Sequence, residues 1–563
     1  MNDWKEELRK VKDALSGTVS KKAATGKPQV TDFVPPGSWL KPDDGHSKQK
    51  QPSLNKALVP NKHRNAQCVG QPVPVSEPTK SVTTSASTGE RVRSAGMNSA
   101  SDPVQAFRPK IDAGRWLSMP SWINTGRPLQ PSGNQGGRDL AVVRVGIDFG
   151  TAFTKVAIKA GVDTVLVDWS AVTGDESPTG RYVMPGFVCR TRRGEYTWQR
   201  SKESDIYGNL KLPVIDMAAS EECPSATLAF LALVIRYTRA FLYRHPDVGR
   251  KLASRSRRWS LNIGCPTAPY EKPEVVEFFR RIARTAWRLA GNDDLGEADI
   301  TAAWRDQENE DGLEAAPGVI PEFVAQIAGY LNSPQVGEGL HALVDIGAAT
   351  LDVAAFNVVK NVNRPDDPNW RIPIFFPKVL PLGTHFLNQN RYQTLKLPLH
   401  WDDTKPPITI KAFASEHAIP MNEVERVDKD FQKEVVKCIL HVLDSTRTNN
   451  RGVGTEDSAW RQGLPYFLTG GGSEVELYAQ AVEEVESQLA KKILASLGAV
   501  EGGHFRLFEV TLGTADRRRL SVALGLTEGS EDDIAKIISF RNVEPLKRPQ
   551  RDLVRHEELY GGR

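Results

Sequence analysis

Residues 148–157 read DFGTAFTKVA, and residues 345–354 read DIGAATLDVA. Five of the ten positions match. Each block follows an apolar run: VVRVGI (142–147) precedes Asp148, and HALV (341–344) precedes Asp345. Alternation at Val143, Val145 and Ile147 predicts a strand that begins near Leu140. Each block therefore reads as strand, Asp, tight Gly turn, second strand. Such a hairpin tip directs backbone N–H groups at an anion, and a carboxylate beside it can serve a hydrated metal. Either block alone fits an ordinary β-turn equally well. Two facing copies would clamp a phosphate chain from both sides.

A third block, PYFLTGGGSEVELYAQAV (465–482), ends a short apolar strand at Thr469 and turns through Gly470, Gly471 and Gly472. A helix should follow, with Val475, Tyr478, Val482, Val485 and Leu489 on one face. Glycines at a strand-to-helix turn let a flat ring or a phosphate approach the backbone, although a plain helix start has the same pattern. The sequence has no GxxxxGK[ST] loop, no GxGxxG after a strand and no HExxH.

In this order the three blocks resemble the phosphate-1, phosphate-2 and adenosine motifs of the actin-like ATPases. That superfamily holds DnaK-type heat-shock chaperones, bacterial actin-like filament proteins and sugar kinases. Two further stretches resemble the DnaK-type branch. SLNIGCPTAPYEKPEVVEFFRRIARTAWRLAG (260–291) is similar to its strand, Pro-turn and helix, with Val275, Phe278, Phe279, Ile282, Ala286 and Leu289 as the buried face. VIPEFVAQIAGYLNS (319–333) is similar to its first connecting helix, and RRLSVALGL (518–526) to its second.

The resemblance implies an α/β chain of two ribonuclease-H-like lobes closing on a nucleotide, with ATP and Mg²⁺ as cofactors. It implies that Asp148 and Asp345 hold the water-coordinated metal. Gly150, Thr151 and Ala152 from one turn, and Gly347, Ala348 and Thr350 from the other, would meet the phosphates. Gly470, Gly471 and Gly472 would meet the nucleoside, and Glu322 would help place the attacking water. Lys211 is the candidate for the family's phosphate-contacting lysine; a solvent-exposed lysine is its plain alternative. For Glu322 the plain alternative is a carboxylate favoured by a helix start. Two departures stand out. Ala348 and Ala349 replace usual glycines, and Glu474 replaces an adenine-stacking arginine.

Outside these blocks, composition divides the chain. Residues 1–140 carry 21 Lys/Arg against 12 Asp/Glu, a net +9, and the remainder carries 52 against 57, a net −5. The first part also holds 14 of the 37 prolines, and no helix or strand period persists between Lys21 and Gly137. Such a stretch buries too little apolar surface to offset chain entropy. Residues 1–138 are therefore expected to be a disordered basic tail, 139–335 lobe I, 336–530 lobe II, and 531–563 a polar end with a short helix at most. Within the tail, Trp4, Leu8, Val11 and Leu15 would share one helical face. DFVPPGSWLKP (32–42) and RWLSMPSWIN (115–124) add aromatic islands that dock on a partner or on the body.

No apolar run reaches bilayer length and no signal-peptide core follows MNDWKEELRK, so the expected location is cytoplasmic. Five dispersed cysteines form no metal pair and no disulfide framework. The basic run from Arg236 to Arg258 reads as a solvated face, or else as a nucleic-acid or partner surface. The expected function is a DnaK-like ATPase without a peptide-binding domain, switching a partner protein, with contact through the tail as the first guess. The alternatives are a bacterial actin-like filament or membrane-associated protein, a metabolite kinase, and a pseudo-ATPase that binds nucleotide only.

Overall fold

The computed structural model describes residues 117–130, 139–216, 222–270, 272–306, 312–360, 370–398, 407–449, 460–461, 463–497, 505–510, 515–529, 534 and 536–539. The expectations for residues 1–116, and for 540–563, lie outside the described residues. The chain divides into residues 1–93 and 94–563, and every described residue belongs to the second unit.

Lobe I is built on β1 (Leu140–Phe149), β2 (Phe153–Ala160), β3 (Asp163–Leu166), β4 (Ser256–Cys265) and β5 (Gly318–Pro321). Their order in the sheet is β3-β2-β1-β4-β5. The first three strands pair antiparallel, while β1, β4 and β5 run parallel. Parallel neighbours need crossovers. Helix α1 (Ser225–Arg244) lies in the β3–β4 crossover, α2 (Pro273–Leu289) in the next one, and α3 (Glu322–Leu331) leaves β5. The stripe read from sequence on α2 is buried: Val275, Phe278, Phe279, Ile282, Ala286 and Leu289 all enter the core. By length and composition α1 could cross a membrane, yet 83% of its most apolar window is buried inside the protein.

Lobe II repeats the plan. Strands β6 (Gly339–Ile346), β7 (Leu351–Lys360), β8 (Trp370–Leu380), β9 (Leu464–Thr469) and β10 (Leu507–Glu509) lie in the order β10-β9-β6-β7-β8. Here too β6, β7 and β8 are antiparallel neighbours, and β9 and β10 run parallel to β6. Helices α4 (Thr384–Thr394), α5 (Met421–Asn449), α6 (Glu476–Leu497) and α7 (Ala515–Gly525) complete it. The same 3-2-1-4-5 order in both sheets is the duplicated α/β fold expected from the echoed blocks. A third, three-stranded sheet (Val188–Arg190, Tyr196–Thr197, Asp205–Tyr207) falls in the interval between β3 and α1, and its Val188, Cys189 and Tyr196 are buried in the lobe I core.

Helices α3 and α7 cross where the lobes meet. A Cβ on Gly525 would collide with the Ala325 carbonyl, so the helices can approach this closely only because glycine stands there. From α7 the chain also grips lobe I. Asn262 Nδ2 donates to the Leu526 and Gly529 carbonyls at 2.7 Å each, and Arg144 Nη1 to that of Thr527 at 3.1 Å.

Three expectations are corrected. First, residues 117–130 are not part of a loose tail. They form a strap over lobe I, with a 3₁₀ turn at Ile123–Gly126 and with Leu117 and Ile123 in the core. Trp259 Nε1 donates to the Leu129 carbonyl at 2.9 Å, the Tyr243 hydroxyl to that of Pro128 at 2.8 Å, and Ser118 N–H to that of Val172 at 2.9 Å.

Second, the basic run is only in part a solvated face: Arg244, Arg250, Lys251 and Arg258 are exposed, but three of its arginines are not. Arg236, Arg239 and Arg257 are buried. Arg236 donates to the carbonyls of Ala290 and Asn292, and Arg239 to that of Trp287. These acceptors end α2, where carbonyls lack helical partners. Burial, with Arg127 nearby, lowers the Arg236 guanidinium to about 10, and burial lowers that of Arg239 to about 9. Third, residues 536–539 form a strand, β11 (Lys536–Ser539), parallel to β8, where a helix was the most expected.

Candidate functional site

The hairpin between β1 and β2 and that between β6 and β7 both point into one cleft. Its lining includes Asp148, Gly150, Thr151, Ala152, Lys211, Glu322, Asp345, Gly347, Ala348, Thr350, Gly470, Gly471 and Gly472. Every site residue expected from sequence is thus brought to one place.

The turns explain their residues. Gly150 N–H donates to the Phe153 carbonyl at 3.1 Å, and Gly347 N–H to that of Thr350 at 2.8 Å. Those two amides close the turns. The N–H groups at the tips, on Thr151, Ala152, Ala348 and Ala349, have no backbone partner among the described residues. A Cβ on Gly150 would strike the Phe153 carbonyl, so glycine is required for the tight return. The alanine pair that departs from the expected glycines divides its roles. Ala349 is packed in the lobe II core, and only Ala348 lines the cleft. The start of α4 braces this tip: Thr384 N–H donates to Gly347 O at 3.2 Å and His385 N–H to Ala348 O at 2.7 Å.

The glycine turn abuts the second hairpin. Gly470 has φ +82°, and a Cβ there would collide with both the Ile346 carbonyl and the Asp345 carboxylate. Glu474 closes the 3₁₀ turn Gly471–Glu474; it is exposed and does not line the cleft.

Lys211 is buried and ion-paired to Glu322, the first residue of α3. The exposed-lysine alternative is therefore excluded. Burial works against the Lys211 charge, but Glu322 outweighs it, and the ammonium is held above the usual lysine value. Burial raises Glu322 against the pull of Lys211, helped by the neighbouring charges of Asp148 and Asp345.

Asp345 accepts from Thr469 Oγ1 at 3.2 Å and from the Gln326 amide, yet burial still raises its carboxyl. Asp352 is raised well above the ordinary aspartate value, first by burial and then by Asp345 and Glu322. The Asp352 Oδ1 oxygen is buried without a hydrogen-bond partner. Oxygens of Glu322, Asp345 and Asp352 all lie within 4.8 Å of one another. Three oxygen donors, one of them orphaned and all destabilised as anions, fit a hard divalent cation such as Mg²⁺. Asp148, expected to share a water-coordinated metal with Asp345, lines the same cleft. Its Oδ2 accepts from Lys155 Nζ at 2.7 Å, beside the trio and not within it.

Sequence reasoning missed Lys155 and Asp352 as cleft residues, along with Gln326, Thr384, Arg518 and Arg519. A signal was present for the first two. Each is the eighth residue of its quoted block, directly across the strand pair from the block's opening aspartate.

No protein-family model matches the sequence, and no curated protein does. Among solved structures, the chain is similar to MreB 5 of Spiroplasma citri bound to AMPPNP, at 10% identity and a TM-score of 0.34. That match covers 68% of this chain and 94% of the other. The assignment of the fold rests on the two sheet orders and not on that likeness.

Proposed function

We propose that this chain binds ATP with Mg²⁺ between its lobes and hydrolyses it, as a two-lobed ATPase of the actin-like kind. The observation that carries the reading is the meeting of both Asp hairpin tips, the glycine turn and the buried Lys211–Glu322 pair in a single cleft.

Phosphoryl transfer to water needs positioned donors, charge neutralisation and an oriented nucleophile. The tip amides of Thr151, Ala152 and Ala348, with the Thr151 and Thr350 hydroxyls, would donate to phosphate oxygens from two sides. Lys155 and Lys211 would add positive charge. Glu322, Asp345 and Asp352 would hold the cation, with Asp148 alongside; when bound, it would neutralise charge on the phosphates. Glu322 would accept a hydrogen bond from the attacking water, its carboxylate held in place by Lys211. Closure of the two lobes about the α3–α7 crossing would shut out bulk water, and it supplies the output by favouring one state over another.

Calorimetry with ATP, ADP, GTP and AMPPNP, with and without Mg²⁺, tests this reading. Binding that requires Mg²⁺, with turnover lost in Asp345→Ala, is the expected result. No heat and no thermal shift with any of the four would overturn it. A DnaK-like partner switch and an actin-like filament share such a cleft and differ in what ATP does to particle size. Light scattering on addition of ATP separates them: a rise means filaments, and a constant signal means a switch.

A further inference from the structure

Four cations line the cleft: Lys155, Lys211, Arg518 and Arg519. Three of them are already matched to a carboxylate, Lys155 to Asp148, Lys211 to Glu322 and Arg518 to Glu509. Arg519 has no ion pair among the described residues, and its Nε is buried without a hydrogen-bond partner. A buried, unpaired donor on a charged group is costly unless something fills its place.

The position of the guanidinium limits what that can be. It lies against the glycine turn: a Cβ on Gly471 would sit 3.5 Å from Nε, 3.6 Å from Nη2 and 3.8 Å from Cζ. Cζ is the farthest of the three, so the Nε–Nη2 edge, which carries the forked N–H donors, faces the space over Gly471 on the cleft wall. The preceding residue of the turn, Gly470, abuts the Asp345 carboxylate. Through Gly471 and Gly470, Arg519 is thus connected to the Asp345 side of the cleft, where phosphates and their cation would meet. A planar fork of donors suits phosphate oxygens.

We propose that Arg519 binds the phosphate chain of the nucleotide from the α7 side, opposite Lys155, and so makes the cleft select nucleotides over nucleosides. This rests on the nucleotide reading above and adds a residue to it. Because α7 also grips lobe I, a phosphate held by Arg519 ties the ligand to the element that joins the two lobes.

The test is calorimetry of adenosine, ADP and Mg²⁺-ATP on the full chain, for wild type, Arg519→Gln and Arg519→Lys. A charge-assisted hydrogen bond of ordinary strength predicts ADP and ATP binding about tenfold to a hundredfold weaker in Arg519→Gln. Adenosine binding should stay within about twofold, since the contact is to phosphate alone. Arg519→Lys should recover part of the loss, and circular dichroism should show all three proteins folded. Equal weakening of adenosine and ADP would overturn the proposal in favour of a contact to the base. Unchanged ADP and ATP binding in Arg519→Gln would overturn it as well. A wild-type protein that binds none of the three ligands would instead remove the nucleotide reading itself.

Discussion

Lys155 and Asp352 hold the same place in two copies of one hairpin. Lys155 lies across the strand pair from Asp148, and Asp352 across from Asp345. In the first copy the result is an ion pair at 2.7 Å; in the second it is two carboxylates side by side in a half-buried site. A duplicated motif has thus become asymmetric, with one wall that carries a lysine and another that gathers negative charge.

That asymmetry has a stability cost which can be measured. Folding raises the carboxyls of Asp352, Asp345 and Glu322, so the folded state keeps protons that the unfolded chain has released. Metal-free stability should therefore fall as pH rises from the ordinary carboxylate value of about 4 through the raised folded values. Asp352→Asn removes one buried charge. In EDTA at neutral pH the variant should be more stable than wild type by about 1–3 kcal/mol, and added Mg²⁺ should stabilise it less. Melting curves in EDTA and in Mg²⁺ check both. A variant less stable than wild type in EDTA would mean that Asp352 is a structural residue.

The Lys211–Glu322 pair should behave as a unit. Lys211→Met strands a buried carboxylate, and breaking one side of such a pair typically costs about 3–5 kcal/mol. Lys211→Met with Glu322→Gln removes both charges and should regain most of that loss. Denaturant unfolding of the two singles and the double completes a cycle, and additive losses would show that the pair is not coupled. Turnover should be lost in all three variants, including the restabilised double.

A pH response should also arise far from the cleft, at the other end of α3. His341 Nδ1 lies 2.9 Å from the Gly339 carbonyl, which can only accept, so Nδ1 carries the proton. Nε2 then accepts from the Tyr330 hydroxyl at 2.9 Å, which in turn accepts from Gly337 N–H at 2.7 Å. The ring packs in a triangle with Phe356 and Phe467, their centres 5.6, 6.1 and 6.2 Å apart. Burial lowers its pKa, outweighing the bond to Gly339. The unfolded chain therefore takes up a proton first, and stability should fall as pH drops below about 6.5, the unperturbed histidine value. His341→Gln should flatten this part of the profile. Equal slopes in wild type and variant between pH 8 and pH 5.5 would assign the acid sensitivity elsewhere.

What was legible in the sequence was local. Asp148, Gly150, Asp345 and Gly347 declare themselves because a hairpin turn is a property of a few consecutive residues. Lys155 and Asp352 stayed hidden in the same blocks, because alternation marks them only as polar positions on a strand. What they face depends on the opposite lobe. The buried arginines misled for a related reason. A run of charge reads as solvent-facing, and the α2 carbonyls that bind Arg236 and Arg239 lie about fifty residues further along the chain. The strap was legible only in part: its aromatics leave docking on the body as one alternative, but Pro120, Gly126 and Pro128 break any helix or strand period, so composition groups residues 117–130 with the tail.

The strap supplies the last prediction, because its partners are core residues and its own backbone is tied down. Trp122 lies 4.9 Å from Tyr237, ring centre to ring centre, with the Arg244 guanidinium over the Trp122 ring at 5.0 Å, and Gly126 meets α1 where no Cβ would fit. Tyr237 in turn stacks on Trp169 at 4.7 Å, so the strap continues an aromatic cluster inside lobe I. Ile123→Ala would leave a cavity in that core and should cost about 2–4 kcal/mol. Deletion of residues 1–130 should lower the melting temperature well below that of a protein lacking residues 1–116, because only the longer deletion uncovers α1 and removes acceptors from Trp259, Tyr243 and Arg239. Thermal unfolding of the two truncations and of Ile123→Ala decides it. Matching melting temperatures for the two truncations would show that the strap rests on lobe I without stabilising it.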